Sequence, residues 1–597
     1  MNELSRVFRL RSSPRWVLVL SGILGFRIGL VGFPTWHICL ETAQVVAGLV
    51  RYPADNPFYI YHTKLWSLVI QACAALLRAG LSEITLSLVL SGLLGMISFQ
   101  ALAMVAYAVS RSLLVAIAAA VVVFASGVTD YGPIYPIWLV GTHHSYGAIG
   151  LSVFVLALGL IASGCYRSGA LLLGIGPAIH PSVGIWVGSI AVAVLAWTYT
   201  GMRDELRPAL KYFAAGCAVT LASVAVQFAF IYDVPVVDAA AVDRSMSTFE
   251  RLWDAHRRAS VGLADTGTMF NRTVVAVTMV WLIGFARDLP RPALFLLRVA
   301  AIAGVASLVV VLLTWLPPGS VPRTVSVLMP ARLLNLNIVL VAPLLIGLVA
   351  AYRHLRSAQA LLVALLTGLL LAPKSLLWRW FADRSVQPWN VRIDPVLLFE
   401  AAALSIVCIA LWQATRRPAV APDAGSTAFH PALLFRAATG VVLAIALALG
   451  WRIHGSRAIF RDRTNDKFFA VVAADRRGLT VTAGSFQLVQ LYTRRPVLID
   501  AGALDAVVYA PEGGPATARI VTDVYGIDYF DPPREMRSSS VIPHDANKFT
   551  WSRFSGQRWR ELRRTYNVSQ IVTRSDYELD LPIAAEGDGL RLYHIPD

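Results

Sequence analysis

His37, Glu41 and Gln44 lie directly after the first long apolar segment, in "TWHICLETAQ". Their spacing of i, i+4 and i+7 would put all three on one face of a helix. A carboxylate there can serve as general base toward an acceptor hydroxyl, or ligate a divalent cation such as Mg or Mn that neutralises phosphate. The alternative is an interfacial helix whose polar face meets headgroups. In "RYPADNPFY" two prolines flank Asp55-Asn56, which reads as a rigid turn. Asp55 is thus a turn residue at the entrance to a cleft. The densest polar and aromatic cluster is "TDYGPIYPIWLVGTHHSYGAIG", carrying Asp130, His143, His144 and Tyr146. Adjacent histidines are expected to point in different directions, so at most one faces a given site. An aromatic belt at water depth is the competing reading.

Two further residues sit inside apolar runs. His180 occupies the break "GPAIHPSVG", and interrupted apolar helices are tolerated mainly where they line protein cavities. Arg332, in "SVLMPARLLNLNIVL", follows Pro330 in the outer third of an apolar segment. An intramembrane arginine usually faces the protein interior, where a phosphate suits its forked guanidinium; snorkelling to outer headgroups is the alternative. Lys374 adds positive charge on the same side.

The elements that must hold these groups are apolar helices. Of 597 residues, 56% are hydrophobic and 15% charged, so an ordinary soluble domain is excluded. Runs of roughly 20 apolar residues, enough to cross a bilayer, are placed at 16–33, 84–107, 112–127, 146–163, 209–231, 272–287, 293–316, 325–349, 357–373, 396–413 and 432–451. The stretch 169–198 supplies two more, because Pro177 and Pro181 break it near His180. The expected total is about thirteen spans. Segment 65–79 is too short to cross and is placed as an amphipathic or re-entrant helix.

A net charge of +16 suggests a polyanion partner at first sight. Its distribution points to topology instead. Arg6, Arg9, Arg11 and Arg15 precede the first span, and Arg111, Arg167, Arg203, Arg291, Arg353 and Arg416 mark alternate short loops. That is the positive-inside pattern, with the N-terminus cytoplasmic and residues 452–597 on the outer face. The first span reads as a retained anchor. Five cysteines without a C-x-x-C spacing support neither disulfide staples nor a zinc site. Walker A, G-x-G-x-x-G, H-E-x-x-H, G-x-S-x-G and Asp-x-Asp signatures do not occur in the sequence. Neither a nucleic-acid nor a nucleotide partner is expected.

The reading is therefore an α-helical polytopic membrane domain over 1–451 and a soluble α/β domain over 452–597. In the latter, strands are expected at 468–473, 479–484, 487–491, 496–499, 569–574 and 590–595, with helices near 515–525 and 551–566. This layout resembles the GT-C class of integral-membrane glycosyltransferases. "LETAQVVAGLVRYP" is similar to the first-loop acidic stretch of that class, and "LMPARLLNL" to its arginine-bearing stretch.

The resemblance implies a bacterial inner-membrane enzyme with a periplasmic C-terminal domain, using a sugar on a polyprenyl phosphate and a lipid, glycan or protein acceptor. It implies that Glu41 is the catalytic or metal-binding acid; from their spacing and clustering, His37, His143 and His144 are expected to aid it. Arg332 would hold donor phosphate, and Asp55, Asp130, His180 and Lys374 would bind substrate. In the family that acid is commonly paired, whereas Leu40 precedes Glu41, so a metal would also draw on Asp55 or Asp130. A metal-independent lipid-linked glycan ligase or polymerase is the alternative within enzymes. A lipid or glycan transporter or scaffold is the alternative outside them.

Overall fold

The computed structural model describes residues 13–126, 129, 137–200, 203–229, 236–254, 289–313, 316, 320, 322, 325, 328, 332–351 and 467–597, the last without 485–487, 501–502, 538 and 544. The chain is mostly helical. Helix α1 (Pro14–Arg27) starts where the Ser13 side chain accepts from the Arg15 amide, with proline at its first position, where a missing N–H costs nothing. It continues as a π turn, Ile28–Gly32. Next come α2 (Cys39–Val46), α3 (Pro57–Lys64), α4 (Leu68–Arg78), α5 (Glu83–Ser110), α6 (Leu113–Ser126) and α7 (Ser145–Ala162). They are followed by α8 (Tyr166–Ile179), α9 (Pro181–Thr198), α10 (Arg203–Phe228), α11 (Ala239–Thr248), α12 (Arg291–Leu313) and α13 (Leu333–Ala351).

Helix α5 is the post around which α1, α6, α7 and α13 pack. Small residues set the closest approach: a Cβ on Gly25 would lie 2.2 Å from the Gly95 carbonyl oxygen, and one on Gly174 would lie 2.4 Å from that of Phe213. Such glycine contacts let helix backbones approach where lipid offers no hydrophobic drive between helices. The break anticipated in 169–198 is present: Pro177 lies in the last turn of α8. His180 is extended, and Pro181 opens α9.

Helix ends gather in two layers. At one, Arg111 donates to the Ser163 carbonyl at 3.0 Å and Arg298 to Thr198 Oγ1 at 3.1 Å. The rings of Tyr166, Tyr199 and Phe295 join those turns. At the other, Ser67 donates to the Ile179 carbonyl, Tyr146 to that of Trp66, and Gln227 to that of Thr63. Consecutive helices thus run back and forth between two ends.

Among the described residues four helical stretches are long and apolar enough to cross a membrane: Pro14–Gly32, Glu83–Ser110, Pro181–Thr198 and Asp204–Phe228. A fifth arises if α3 and α4, bent by 106°, count as one broken span. The expectation of about thirteen is therefore not supported. The apolar stretches Leu113–Ala125, Tyr146–Ala162 and Asn335–Leu348 are shorter than a full crossing needs. The segments expected at 272–287, 357–373, 396–413 and 432–451 lie outside the described residues.

The C-terminal unit holds α14 (Lys467–Ala474), β1 (Leu479–Thr482), α15 (Val489–Thr493), α16 (Ala503–Tyr509), α17 (Gly514–Asp523), α18 (Lys548–Trp551), α19 (Gly556–Tyr566), β2 (Val568–Arg574), β3 (Ile583–Gly587) and β4 (Leu590–His594). The sheet order is β1-β2-β4-β3, parallel between β1 and β2 and antiparallel elsewhere. The strand expected at 496–499 is reduced to a single parallel bridge, Val497 to Thr480, beside the edge strand β1.

Two expected strands are helices. In 467–474 Phe468, Phe469 and Val472 are buried while Val471 is 44% exposed, a one-sided burial of helical period. A short apolar run does not distinguish the two states by itself. Likewise Val489–Thr493 is helical. Strand β3 and helix α16 were not anticipated. The expected helix at 551–566 is two helices, α18 and α19, and Ser555 caps the second through the Arg558 amide.

The core of this unit does not stop at its own sequence. Phe58, Met246, Phe249 and Trp253 lie in the same apolar cluster as Val481, Tyr525, Trp551 and Trp559.

Candidate functional site

The loops that follow α1 and α10 meet the C-terminal unit at one end of the bundle. Asn56 caps α3 through its Oδ1 and sends Nδ2 to the Leu498 carbonyl at 3.1 Å. Tyr52 accepts from the Val497 amide at 3.2 Å and donates to Gln490 Oε1 at 2.5 Å. Gln490 Nε2 in turn donates to the Glu41 carbonyl at 2.9 Å. Glu83, at the start of α5, takes Arg494 Nε and Nη2 at 2.7 and 2.8 Å and Gln44 Nε2 at 3.0 Å.

Glu41 lies at the centre of this interface, 4% exposed. Burial pushes its carboxyl well above the usual carboxylate range, the charge of Asp500 adds to that, and a hydrogen bond from the Leu491 backbone N–H partly opposes it. Asp500 follows directly on the 496–499 segment and is itself buried. The sequence shows Glu41 with no acidic neighbour, and the fold brings one from 459 positions away (500 − 41).

His37 is not on the helical face with Glu41. Helix α2 begins at Cys39, and the His37 ring turns instead to α5, with Nε2 2.9 Å from Ser91 Oγ. It is fully buried. Burial lowers its pKa from 6.5 to about 3, so the ring is neutral. Its neutral form binds fewer protons than the unfolded chain, so the contribution to stability is present above pH 6.5 and lost as pH falls toward 3. At one pKa unit per 1.36 kcal/mol, lowering the pH from 6.5 to 5 should cost about 2 kcal/mol at this residue. Denaturant titration of wild type against His37→Gln, which keeps a hydrogen-bonding amide, should show that difference; equal acid sensitivity would refute it.

His143 and His144 do not point apart: their ring centroids are 4.3 Å from each other. The His143 carbonyl accepts from the Ile38 amide at 3.0 Å, which pins this loop to the start of α2. His144 is exposed. His180 is buried, its ring stacked on Tyr146 with centroids 4.4 Å apart. Arg332 is near enough for its charge to act on both of them. Tyr61 ties the two groups of residues together, since it feels Asp500 and Asp505 on one side and Tyr146 on the other. Asp55 is exposed in its turn, and it is Asn56 that holds the C-terminal unit. Asp130 and Lys374 lie outside the described residues.

Among the described residues no three His, Cys, Asp or Glu side chains form a group able to hold a metal ion. Residues that the sequence reading missed are Asp500, Gln490 and Tyr52, none of which carries a local motif. Asn337 was also missed: it is fully buried in α13, with neither side-chain amide atom hydrogen-bonded. Its signal was legible, because an asparagine inside an apolar run is unusual.

These features define a class, a helical bundle with helices long and apolar enough to cross a membrane, capped at one end by a small α/β unit. Compared with protein-family models, curated proteins and solved structures, the chain matches none.

Proposed function

We propose that the protein is an integral-membrane glycosyltransferase of the GT-C kind. It would transfer a sugar from a polyprenyl-phosphate donor to a lipid, glycan or protein acceptor at the outer face of a bacterial inner membrane. The carrying observation is the buried carboxyl Glu41, raised in proton affinity by burial and by the charge of Asp500, at one end of an apolar bundle. The apolar side chains Trp16, Ile23, Ile185, Trp197 and Leu221 turned outward along the bundle support its seating in lipid.

In this reading Glu41 takes the proton of the acceptor hydroxyl. The acceptor oxygen forms its bond to the anomeric carbon while the bond from that carbon to the phosphate oxygen breaks. The departing polyprenyl phosphate keeps the electron pair, and Arg332 offsets its charge. A carboxyl whose pKa is raised by burial is, once ionised, a stronger proton acceptor than an ordinary one. Asp500 would hold Glu41 in that state.

A bound divalent cation would supply charge neutralisation at phosphate, and Glu41 with Asp500 are the side chains to hold it. A proton-retaining pair favours as second reading a metal-independent ligase or polymerase, because a protonated carboxyl is a poor ligand. Purified protein in detergent, given a radiolabelled polyprenyl-phosphate sugar and candidate acceptors, should release labelled product. Activity surviving EDTA selects the metal-independent form. The absence of transfer to every acceptor class would refute the enzyme reading in favour of a carrier or scaffold.

A further inference from the structure

Helix α15 is shared between two cores: Val489 is buried in the core of the C-terminal unit and Tyr492 sets its ring against Phe469, with centroids 5.0 Å apart, while its other apolar side chains face the bundle. Leu488 and Leu491 are buried in an apolar cluster otherwise built from the first loop, α2, α4 and α5, among them Trp36, Leu40, Ala43 and Leu86. Tyr492 sets its ring against Trp36 with centroids 5.2 Å apart. The helix is bracketed by two non-glycine residues in the left-handed region, Leu488 at φ 66° and Arg494 at φ 53°. A bulky residue at positive φ is a strained conformation held by its surroundings, and such strain gathers at clamps and switch segments. The surroundings here are polar clamps onto the first loop and α5. Gln490 reaches the Glu41 carbonyl and Gln44 Oε1, at 2.9 and 3.3 Å. Gln44 Nε2 reaches the Leu491 carbonyl at 3.2 Å, and Arg494 grips Glu83 through two bonds.

We propose that residues 488–494 form a plug, seated over Glu41 as observed, which withdraws to admit substrate when the Arg494–Glu83 pair parts. The plug seals the proposed catalytic acid from the side of the C-terminal unit. Its two strained ends store the tendency to leave, and the Glu83 carboxylate is the latch. The inference rests on the reading of Glu41 as the working acid, but plug movement is measurable without any transfer reaction.

The test uses full-length protein in detergent with Cys39, Cys73, Cys165, Cys217 and Cys408 replaced by serine or alanine and a single reporter, Glu41→Cys. Thr42→Cys, on the same helix, is the second reporter should the first disturb folding. Alkylation by a small maleimide should be slow with the latch intact. Arg494→Gln should accelerate it about tenfold, since opening free energy sets exposure of a buried thiol. Melting curves measured alongside show that the fold is kept. In a separate pair, Gln44→Cys with Leu491→Cys, oxidation should stop sugar transfer and reductant should restore it. An alkylation rate unmoved by Arg494→Gln, or full transfer by the cross-linked protein, would overturn the plug. Faster alkylation of the reporter, with no sugar transfer by the wild-type protein that keeps Glu41, would uphold the plug and refute the glycosyltransferase reading.

Discussion

Glu41→Gln is expected to abolish sugar transfer, by at least about 1,000-fold, while the protein still inserts, folds and melts cooperatively. The amide preserves the size of the side chain but takes no proton from an acceptor hydroxyl. A loss caused by misfolding can be told apart by pH. A carboxyl whose folded pKa is raised above its unfolded value contributes stability that is present at low pH and lost as pH rises through the folded pKa. The relevant window therefore opens above 4.5, the ordinary value for the group, and extends upward. The Gln variant is neutral throughout, so it should match wild type in acid and be the more stable protein in mildly alkaline buffer. Undiminished transfer by Glu41→Gln would remove Glu41 from the chemistry. Destabilisation at alkaline pH would show that the buried carboxyl is held ionised.

Trp253→Ala is expected to loosen the C-terminal unit by about 3–5 kcal/mol, the usual range for emptying a buried aromatic site. Trp253 has no exposed surface. Its Nε1 donates to the Tyr529 carbonyl at 2.9 Å and its ring stacks on Tyr529 with centroids 5.8 Å apart. Tyr529 in turn donates to the Ser245 carbonyl at 3.1 Å. The side chain therefore ties the 239–253 segment to a unit more than two hundred residues later in sequence. Hydrogen exchange is the direct readout: amides of α17 should lose protection in Trp253→Ala, while those of α5 should not. Unchanged protection in α17 would mean that the C-terminal unit stands without this anchor.

The two experiments probe different links in one chain of cause. Trp253 and Phe58 bring the C-terminal unit down onto the end of the bundle, and only then do Gln490 and Asp500 meet the first loop. Lys64 and Glu512, with Nζ 2.5 Å from Oε1, add an ion pair at the same seam. A half-buried pair still reached by solvent contributes little by itself. The buried aromatics, by area removed from water, contribute much more.

The sequence by itself determined most of the local structure. Prolines on either side of His180 required a break, since each removes a backbone donor and restricts its neighbour, and the structure has α8 and α9 meeting there. The prolines around Asp55-Asn56 marked a turn, and residues 54–55 form one, after which Asn56 caps α3. Alternating and β-branched residues marked 479–484, 569–574 and 590–595, where β1, β2 and β4 lie.

Tertiary structure decided everything that depends on a partner distant in sequence. It made 467–474 a helix, because burial on one side and not composition selects between two states that a short apolar run allows equally. It turned His37 away from Glu41, because Ser91 on α5 offered its ring a buried partner that no spacing rule contains. Above all it supplied the second acid. Leu40 left Glu41 without an adjacent acid, Asp55 stays exposed in its turn, and no local pattern points from Glu41 to Asp500. Only the docking of the 496–499 segment against Tyr52 and Asn56 brings that carboxyl near, and the desolvation that comes with docking is what raises the proton affinity of Glu41.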